Sequence, residues 1–165
     1  MRARTTSWRW PRRADGLHRN FQGYTTDEAE TLIGVGASAI GRLPQGYVQN
    51  TAAEVEWRKS VGAGVLPTAR GVALTDDDRF RGEIIERLMC DLAVDLAAVA
   101  ARWGRSLAAL APAVERLRAL EDDGLVVLGG GRVVVTDTGR PFMRAACAVF
   151  DSYLEPEAKR HSSVV

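Results

Sequence analysis

The densest set of side chains able to do chemistry lies in residues 17–26, Leu-His-Arg-Asn-Phe-Gln-Gly-Tyr-Thr-Thr. This segment places the amide of Gln22 beside the aromatic ring of Phe21, with Arg19 two residues before the ring. The planar guanidinium of arginine matches a carboxylate, and a ring beside an amide suits a flat organic ligand. A solvent-exposed loop has a similar composition, so these residues alone leave a binding site and a plain loop both open.

The remaining groups of chemical interest give weaker signals. Cys90 and Cys147 are each placed on an apolar helical face, which predicts buried, inert thiols. His18 and His161 have no neighbour at metal-ligand spacing, so no metal site built by the protein is predicted. The three aspartates at 76–78 are more typical of a helix N-terminus than of a metal-ligand set.

The size and composition are those of a soluble globular protein. The chain has 165 residues, 46% of them apolar, and no apolar run approaches the ~18 residues of a membrane span. Five of the 22 basic residues precede Asp15, so the rest of the chain has 17 basic against 21 acidic residues. An acidic body argues against nonspecific nucleic-acid binding. These features predict a cytoplasmic monomer that binds neither membrane nor nucleic acid.

The first half of the chain is rich in glycine. Residues 1–16 show no apolar period and are predicted to be disordered. The run 31–40 is short, apolar and made of small residues, which predicts a buried strand. Residues 51–61 are predicted to form a helix, with Thr51 as N-cap and Glu54 completing a capping box.

From Thr75 onward, the pattern becomes helical. A first helix opens at Asp76, and its apolar stripe includes Phe80, Ile84, Leu88 and Met89. The segments that follow are a helix over 96–103, a helix from Ser106 or Pro112 to Asp123, a glycine-rich hairpin over 125–136, a helix over 141–153 and a loose tail over 155–165. Helix, helix, helix, hairpin, helix is the order of a winged-helix domain. The third helix starts without hydrogen-bond donors, which predicts a scaffold or lid rather than a DNA reader.

Several strings of residues together resemble the oxygen-independent coproporphyrinogen III oxidase family of radical S-adenosylmethionine (SAM) enzymes. The strings are Arg19-Asn-Phe-Gln-Gly-Tyr-Thr-Thr26, Gly34-Val-Gly-Ala-Ser-Ala-Ile-Gly41, Tyr47-Val-Gln-Asn50, Arg70-Gly-Val-Ala-Leu-Thr75, Asp77-Asp78, Leu88-Met-Cys90, Asp123-Gly-Leu125, Thr138-Gly-Arg140 and Phe150-Asp-Ser-Tyr-Leu154. The resemblance covers residues 16–154, which is nearly the whole chain.

The resemblance implies an α+β fold in which 17–71 is the closing segment of a radical SAM (β/α) barrel and 75–154 is a winged-helix-like C-terminal domain. It also implies heme biosynthesis, in which two propionates of coproporphyrinogen III are oxidatively decarboxylated by means of a [4Fe-4S] cluster and SAM. In the family, the residues matching Phe21 and Gln22 lie at the active site, and the one matching Ile40 contacts a second SAM. A propionate contact by Arg19 is our own addition, suggested by its neighbours.

The sequence departs from the family pattern in its sulfur ligands. The family's CxxxCxxC cluster motif is absent from these 165 residues, and two distant cysteines cannot hold the cluster. The chain alone is therefore predicted to be inactive and to need the radical SAM barrel as its partner. Residues 5–11 are predicted to be an out-of-frame translation of the acidic helix that precedes Arg19 in the family. Two alternatives stay open: a winged-helix module that binds nucleic acid or a protein partner, and a porphyrin carrier.

Overall fold

A computed structural model describes residues 17–21 and 23–154. The predicted disordered arm at 1–16, the predicted loose tail at 155–165 and Gln22 lie outside the described residues. Helices and strands both occur along the described part of the chain, so the predicted α+β class is confirmed. No described helix combines the length and the apolar character that crossing a membrane requires.

The first part of the chain is built from antiparallel strands. Strands β1 (His18–Asn20) and β2 (Gly23–Thr25) pair with each other as a small hairpin. A separate three-stranded sheet follows, in the order β3-β4-β5, and consists of β3 (Ile40–Leu43), β4 (Gly46–Asn50) and β5 (Thr68–Ala73). Helix α1 (Glu54–Gly62) connects β4 to β5. The described strands do not form a closed barrel.

The prediction of a buried strand over 31–40 was wrong. Only Leu32 makes a bridge, to Arg42, before the chain turns, and the side chains of Ile33 and Val35 are 70% and 86% exposed. Gly36 has a φ of 109°, whereas a strand would need an extended backbone there. The segment is an irregular loop, and β3 begins only at Ile40.

The predicted helix over 51–61 exists, but its predicted start was wrong. The N-cap is Ala53, whose side chain makes no capping hydrogen bond. Thr51 instead donates its hydroxyl to Glu56, 3.1 Å away, so the capping box with Glu54 does not form. The helix ends at Gly62, as predicted.

The second part of the chain is mostly helical. Its elements, in order, are α2 (Asp76–Asp91), β6 (Ala93–Asp95), α3 (Leu96–Arg102), a 3-10 turn (Leu107–Leu110), α4 (Ala111–Asp122), β7 (Val126–Gly129), β8 (Arg132–Val135), a second 3-10 turn (Arg140–Phe142) and α5 (Met143–Ala148). The predicted hairpin is therefore confirmed as β7 and β8. The short strand β6 was not predicted, and it pairs with β8 to complete a sheet of order β6-β8-β7.

Helix α2 begins almost directly after the sheet ends. The backbone N–H of Leu74 donates to Gln45 at 2.9 Å, and Thr75 then caps the helix through a reciprocal capping box with Asp78. The three aspartates thus open a helix, as predicted, and hydrogen bonds from Thr75 lower the pKa of Asp78. Such a box satisfies two N–H groups that the first turn would leave unpaired.

Both predicted start signals of the third helix begin an element of the structure. The last helix is shorter than predicted. Ser106 caps the first 3-10 turn and Pro112 lies in the first turn of α4. Helix α5 ends at Ala148, five residues before the predicted end at Tyr153. Phe142 is 57% exposed, while Phe150 is fully buried beyond the helix end.

One hydrophobic core holds the second part of the chain together. All of the buried apolar side chains in the described residues lie between Phe80 and Phe150. The stripe on α2 packs there against α3, α4, the β6-β8-β7 sheet and α5. Helix α1 buries none of its residues, and every residue of β5 is exposed.

Candidate functional site

The pairing of β3, β4 and β5 places six side chains on one face of their sheet. Directly opposite residues of antiparallel strands point to the same side, and the register aligns Arg42, Tyr47 and Val72 in one row. The next row on the same side consists of Ile40, Gln49 and Arg70. We call this surface the arginine face, defined as Ile40, Arg42, Tyr47, Gln49, Arg70 and Val72.

The aromatic residue of the first motif borders this face. Phe21 lies at the turn between β1 and β2, and its ring meets the ring of Tyr47 edge-on, with 5.3 Å between the centroids. Edge-to-face packing is a favoured arrangement for two rings. Phe21 remains 55% exposed, so part of its ring faces solvent beside the arginine face. Gln22 lies outside the described residues.

The loop that precedes β3 packs against the opposite side of the sheet at the end of β4. The side-chain amide of Asn50 donates to the carbonyl oxygens of Gly34 and Gly36, at 3.2 and 2.9 Å. A Cβ atom at Gly41 would lie 3.0 Å from the carbonyl oxygen of Leu32, so this close approach favours glycine. The Gly-Val-Gly motif thus folds the loop behind the sheet.

Two polar side chains of the arginine face are held in a chain of hydrogen bonds. The amide nitrogen of Gln49 donates to the carbonyl oxygen of Ser38 at 2.9 Å. The amide oxygen of Gln49 accepts from Nε of Arg70 at 2.7 Å. Because Nε is used in this way, the guanidinium of Arg70 is oriented with its two terminal nitrogens still able to donate.

Arg19 is placed on the β1–β2 hairpin, directly opposite Tyr24. The hydroxyl of Tyr24 donates to the carbonyl oxygen of Met89 at 3.2 Å, and His18 Nδ1 lies 3.0 Å from Glu86 of α2. The positive charge of Arg19 acts to lower the pKa of Cys147 on α5. The structure therefore brings Phe21 and Ile40 to the arginine face, and it places the exposed Arg19 nearer to the helical part.

The match with known proteins covers both parts of the chain. Residues 74–142 match the family model described as the HemN C-terminal domain. An oxygen-independent coproporphyrinogen III oxidase from Bradyrhizobium diazoefficiens is 49% identical over 149 residues, which are 90% of this chain and 33% of that protein. The resemblance to this oxidase family is confirmed.

Two further comparisons agree. An oxygen-independent coproporphyrinogen III oxidase from Cereibacter sphaeroides is 40% identical over 147 residues, 89% of this chain and 32% of that protein. The solved structure of coproporphyrinogen III oxidase (HemN) from Escherichia coli, a radical SAM enzyme, superposes on this chain with a TM-score of 0.79 at 36% identity. It covers 84% of this chain and 32% of its own. The chain thus spans about a third of the length of the curated relatives that it matches.

The cysteines present do not fit the iron–sulfur cluster of a radical SAM oxidase. Only two occur in the sequence, Cys90 on α2 and Cys147 on α5, and neither is in a disulfide. Cys147 is buried as predicted, and burial raises its pKa to about 11, so it stays a thiol at neutral pH. Cys90 is only half-buried and lines a shallow cleft of about 290 Å³ with Met89 and Met143. Cluster ligation takes thiolates, usually four.

The acidic residues of α2 serve the packing of the helical part. Asp77 accepts from Arg81 and Arg105, and the hydrogen bond from Arg81 lowers its pKa despite partial burial. Burial acts to raise the pKa of Glu83, but hydrogen bonds from Trp103 Nε1, at 2.7 Å, and from Arg102 lower it overall. Both carboxylates are therefore held ionised by partners within the fold.

Four residues of the arginine face were not predicted from the sequence as functional candidates: Arg42, Tyr47, Gln49 and Arg70. Tyr47 and Gln49 stand two residues apart in the string Tyr47-Val-Gln-Asn50, which is the spacing of side chains on one strand face. That spacing was the available signal. It could not show that Arg42 and Arg70 align with them, because the alignment depends on the pairing register.

Proposed function

We propose that this chain provides the C-terminal part of an oxygen-independent coproporphyrinogen III oxidase, which converts coproporphyrinogen III to protoporphyrinogen IX by oxidative decarboxylation of two propionates. The observation that carries the proposal is the 49% identity over 149 residues to the Bradyrhizobium diazoefficiens oxidase. The arginine face supports it independently, since cationic and aromatic side chains meet there on one surface. The propionates of such a substrate need cationic partners, and its pyrrole rings suit aromatic ones.

The proposed roles follow the family pattern. Phe21 and Gln22 are the active-site pair, and the partly exposed ring of Phe21 beside Tyr47 is consistent with contact to a bound molecule. Ile40, half-buried in the first position of β3, offers an apolar contact to SAM. Arg19, exposed on the hairpin, is proposed to contact a propionate.

The cluster chemistry of such an oxidase has to come from sequence other than these 165 residues, because two cysteines are too few to ligate it. We therefore expect the purified chain, reconstituted anaerobically with iron, sulfide and SAM, to show neither cluster absorbance nor decarboxylation. The appearance of either signal would contradict this part of the proposal.

The architecture that we propose has two units. Residues 17–71 close the radical SAM barrel, and 75–154 form a winged-helix-like domain, which the order α2, β6, α3, α4, β7, β8 supports. Arg116 of α4 donates to the carbonyl oxygen of Val149, and Arg118 pairs with Glu115 on the exposed surface of the same helix, at 3.0 Å. This supports a scaffold role rather than nucleic-acid binding. The proposed protein is cytoplasmic and monomeric.

A chimera tests the proposed function. The 149-residue stretch of the Bradyrhizobium diazoefficiens oxidase that matches this chain is replaced by the matching residues here. The purified chimera should convert coproporphyrinogen III to protoporphyrinogen IX anaerobically with SAM and a reductant. In it, Phe21→Ala and Gln22→Ala should abolish conversion, whereas Arg118→Gln on the exposed side of α4 should not.

The contradicting result is equally definite. A chimera that is folded and shows cluster absorbance, yet forms no protoporphyrinogen, would refute the proposed function. A mobility shift of duplex DNA by the 165-residue chain, weakening as salt rises, would instead favour a nucleic-acid-binding module.

A further inference from the structure

We propose that Arg42 and Arg70 are the carboxylate-binding pair of the arginine face, and that they hold two acidic side chains of a tetrapyrrole lying over Tyr47. This inference rests on the proposed function and extends it to named substrate contacts. It starts from charge: the face carries two arginines and no acidic residue. Among the described residues, neither arginine has a carboxylate within ion-pair distance, whereas most other arginines of α2 to α5 do.

The spacing of the two arginines suits a ligand with two separated acids. They lie on the outer strands β3 and β5 and in adjacent rows of the sheet. Strand and residue spacings put their Cα atoms about 12 Å apart. Tyr47 lies between them on β4, with the ring of Phe21 at its edge. A tetrapyrrole macrocycle seated on Tyr47 would therefore have a guanidinium within reach on either side.

The orientation of Arg70 is fixed before any ligand arrives. Its Nε donates to Gln49, which is itself anchored to the carbonyl oxygen of Ser38. The terminal nitrogens are left as a planar fork, the geometry that binds a carboxylate through two hydrogen bonds. Gln49 is thus a positioning residue for Arg70, and fixing a side chain in advance lowers the entropic cost of binding.

The test is a fluorescence titration of the full 165-residue chain with coproporphyrin III, the stable oxidised form that keeps all four carboxylates. Arg42→Gln and Arg70→Gln should each raise the Kd about 10- to 100-fold, since hydrogen bonds to charged groups have that strength. Arg58→Gln on α1, an exposed arginine paired with Glu54, should leave the Kd unchanged. Thermal melting of each variant checks that the fold persists.

Two further measurements separate the effect of the ligand's carboxylates from the effect of the orientation of Arg70. The tetramethyl ester of coproporphyrin III should bind the wild-type chain and the two arginine variants equally, because it has no carboxylates. Gln49→Leu should weaken binding of coproporphyrin III in the wild-type background but have little added effect in Arg70→Gln, because it acts through Arg70. Additive effects would instead give Gln49 a contact of its own and overturn its positioning role.

The outcomes distinguish this inference from the proposed function. If the wild-type chain binds coproporphyrin III and the arginine variants bind it equally well, the assignment of Arg42 and Arg70 is overturned. If the wild-type chain does not bind it while the chimera described above is active, the assignment is again overturned and the proposed function stands. An inactive chimera that holds its cluster overturns the function itself.

Discussion

The two parts of the molecule are stabilised in different ways. Residues 76–150 have a closed core in which Phe80, Ile84, Leu88 and Phe150 are fully buried. In residues 17–73, no described apolar side chain is buried, and the sheet depends on strand pairing, close glycine contacts and hydrogen bonds such as those of Asn50. Because only the helical part has a core, we infer that it folds as a unit, whereas the sheet part mainly provides an exposed surface. Four predictions test this difference, from the largest effect to the smallest.

Cutting the chain between Ala73 and Leu74 should give the largest effect. The fragment 74–154 should unfold cooperatively, since small domains with a single core do so, while the fragment 17–73 should show no cooperative transition. Circular dichroism during thermal melting measures both. An unfolded fragment 74–154, or a sharp melting transition of the fragment 17–73, would contradict this difference between the two parts.

Leu88→Ala should lower the free energy of unfolding by about 2–5 kcal/mol, because it leaves a cavity in the core. Ile33→Ala, which truncates an apolar residue of the sheet part that is 70% exposed, should change it by less than about 0.5 kcal/mol. Chemical denaturation monitored at 222 nm compares them. Equal effects would mean that Ile33 is covered in solution.

Gly46→Ala should damage the sheet without reaching the core. A Cβ atom at this position would lie 2.0 Å from the carbonyl oxygen of Val72, so β4 and β5 must separate locally, at a cost of about 1–3 kcal/mol. Hydrogen exchange should show lost protection in β3–β5 and unchanged protection in α2. Gly62→Ala is the matched control, since a Cβ there meets nothing within 4 Å. Global unfolding by Gly46→Ala would contradict the separation of the two parts.

Asp77→Asn should have the smallest effect, and one that depends on pH. The pKa of Asp77 is lowered in the folded state by Arg81 and Arg105, so its carboxylate stabilises the fold above the unfolded-state pKa. That contribution, below about 1 kcal/mol for a half-exposed group, is lost as the pH falls through the folded-state pKa. Denaturation midpoints of wild type and variant should therefore differ at pH 7 and converge as the pH falls below the folded-state pKa of Asp77. A constant difference across that range would exclude the ion pairs as its cause. Asp137→Asn, at the exposed pair with Arg140, is the control.

The helical part could be predicted closely from sequence because its signals are local. The capping residues of α2, the apolar stripe from Phe80 to Met89 and the glycines of the hairpin each act within a few residues. The sheet part was predicted poorly for the opposite reason. The apolar run 31–40 forms a loop rather than a strand, because the chain turns at Gly36. Thr51 makes a hydrogen bond to Glu56 instead of capping α1. The loop over 31–40 is held by Asn50, which lies 16 and 14 residues beyond the two glycines that it contacts, Gly34 and Gly36. Thr51 has two possible partners close in sequence, and the sequence does not show which one it uses.

The candidate site shows the same limit. The family strings were visible in the sequence, and with them Phe21, Gln22, Ile40 and Arg19. The partnership of Arg42 with Arg70 was not visible, because 27 intervening residues, including α1, separate them along the chain and only the register of three strands aligns them. Arg19 was predicted from its neighbours in sequence, but the hairpin pairs it with Tyr24 near α2 and α5.

A single residue, Leu74, stands between the last residue of β5 and the cap of α2. Its N–H is tied to Gln45, and Arg79 of α2 reaches back to the carbonyl oxygen of Pro44, 3.1 Å away. These two hydrogen bonds fix the start of α2 to the turn between β3 and β4. The sheet and the helices therefore keep their relative position at this junction, although only the helices have a core of their own.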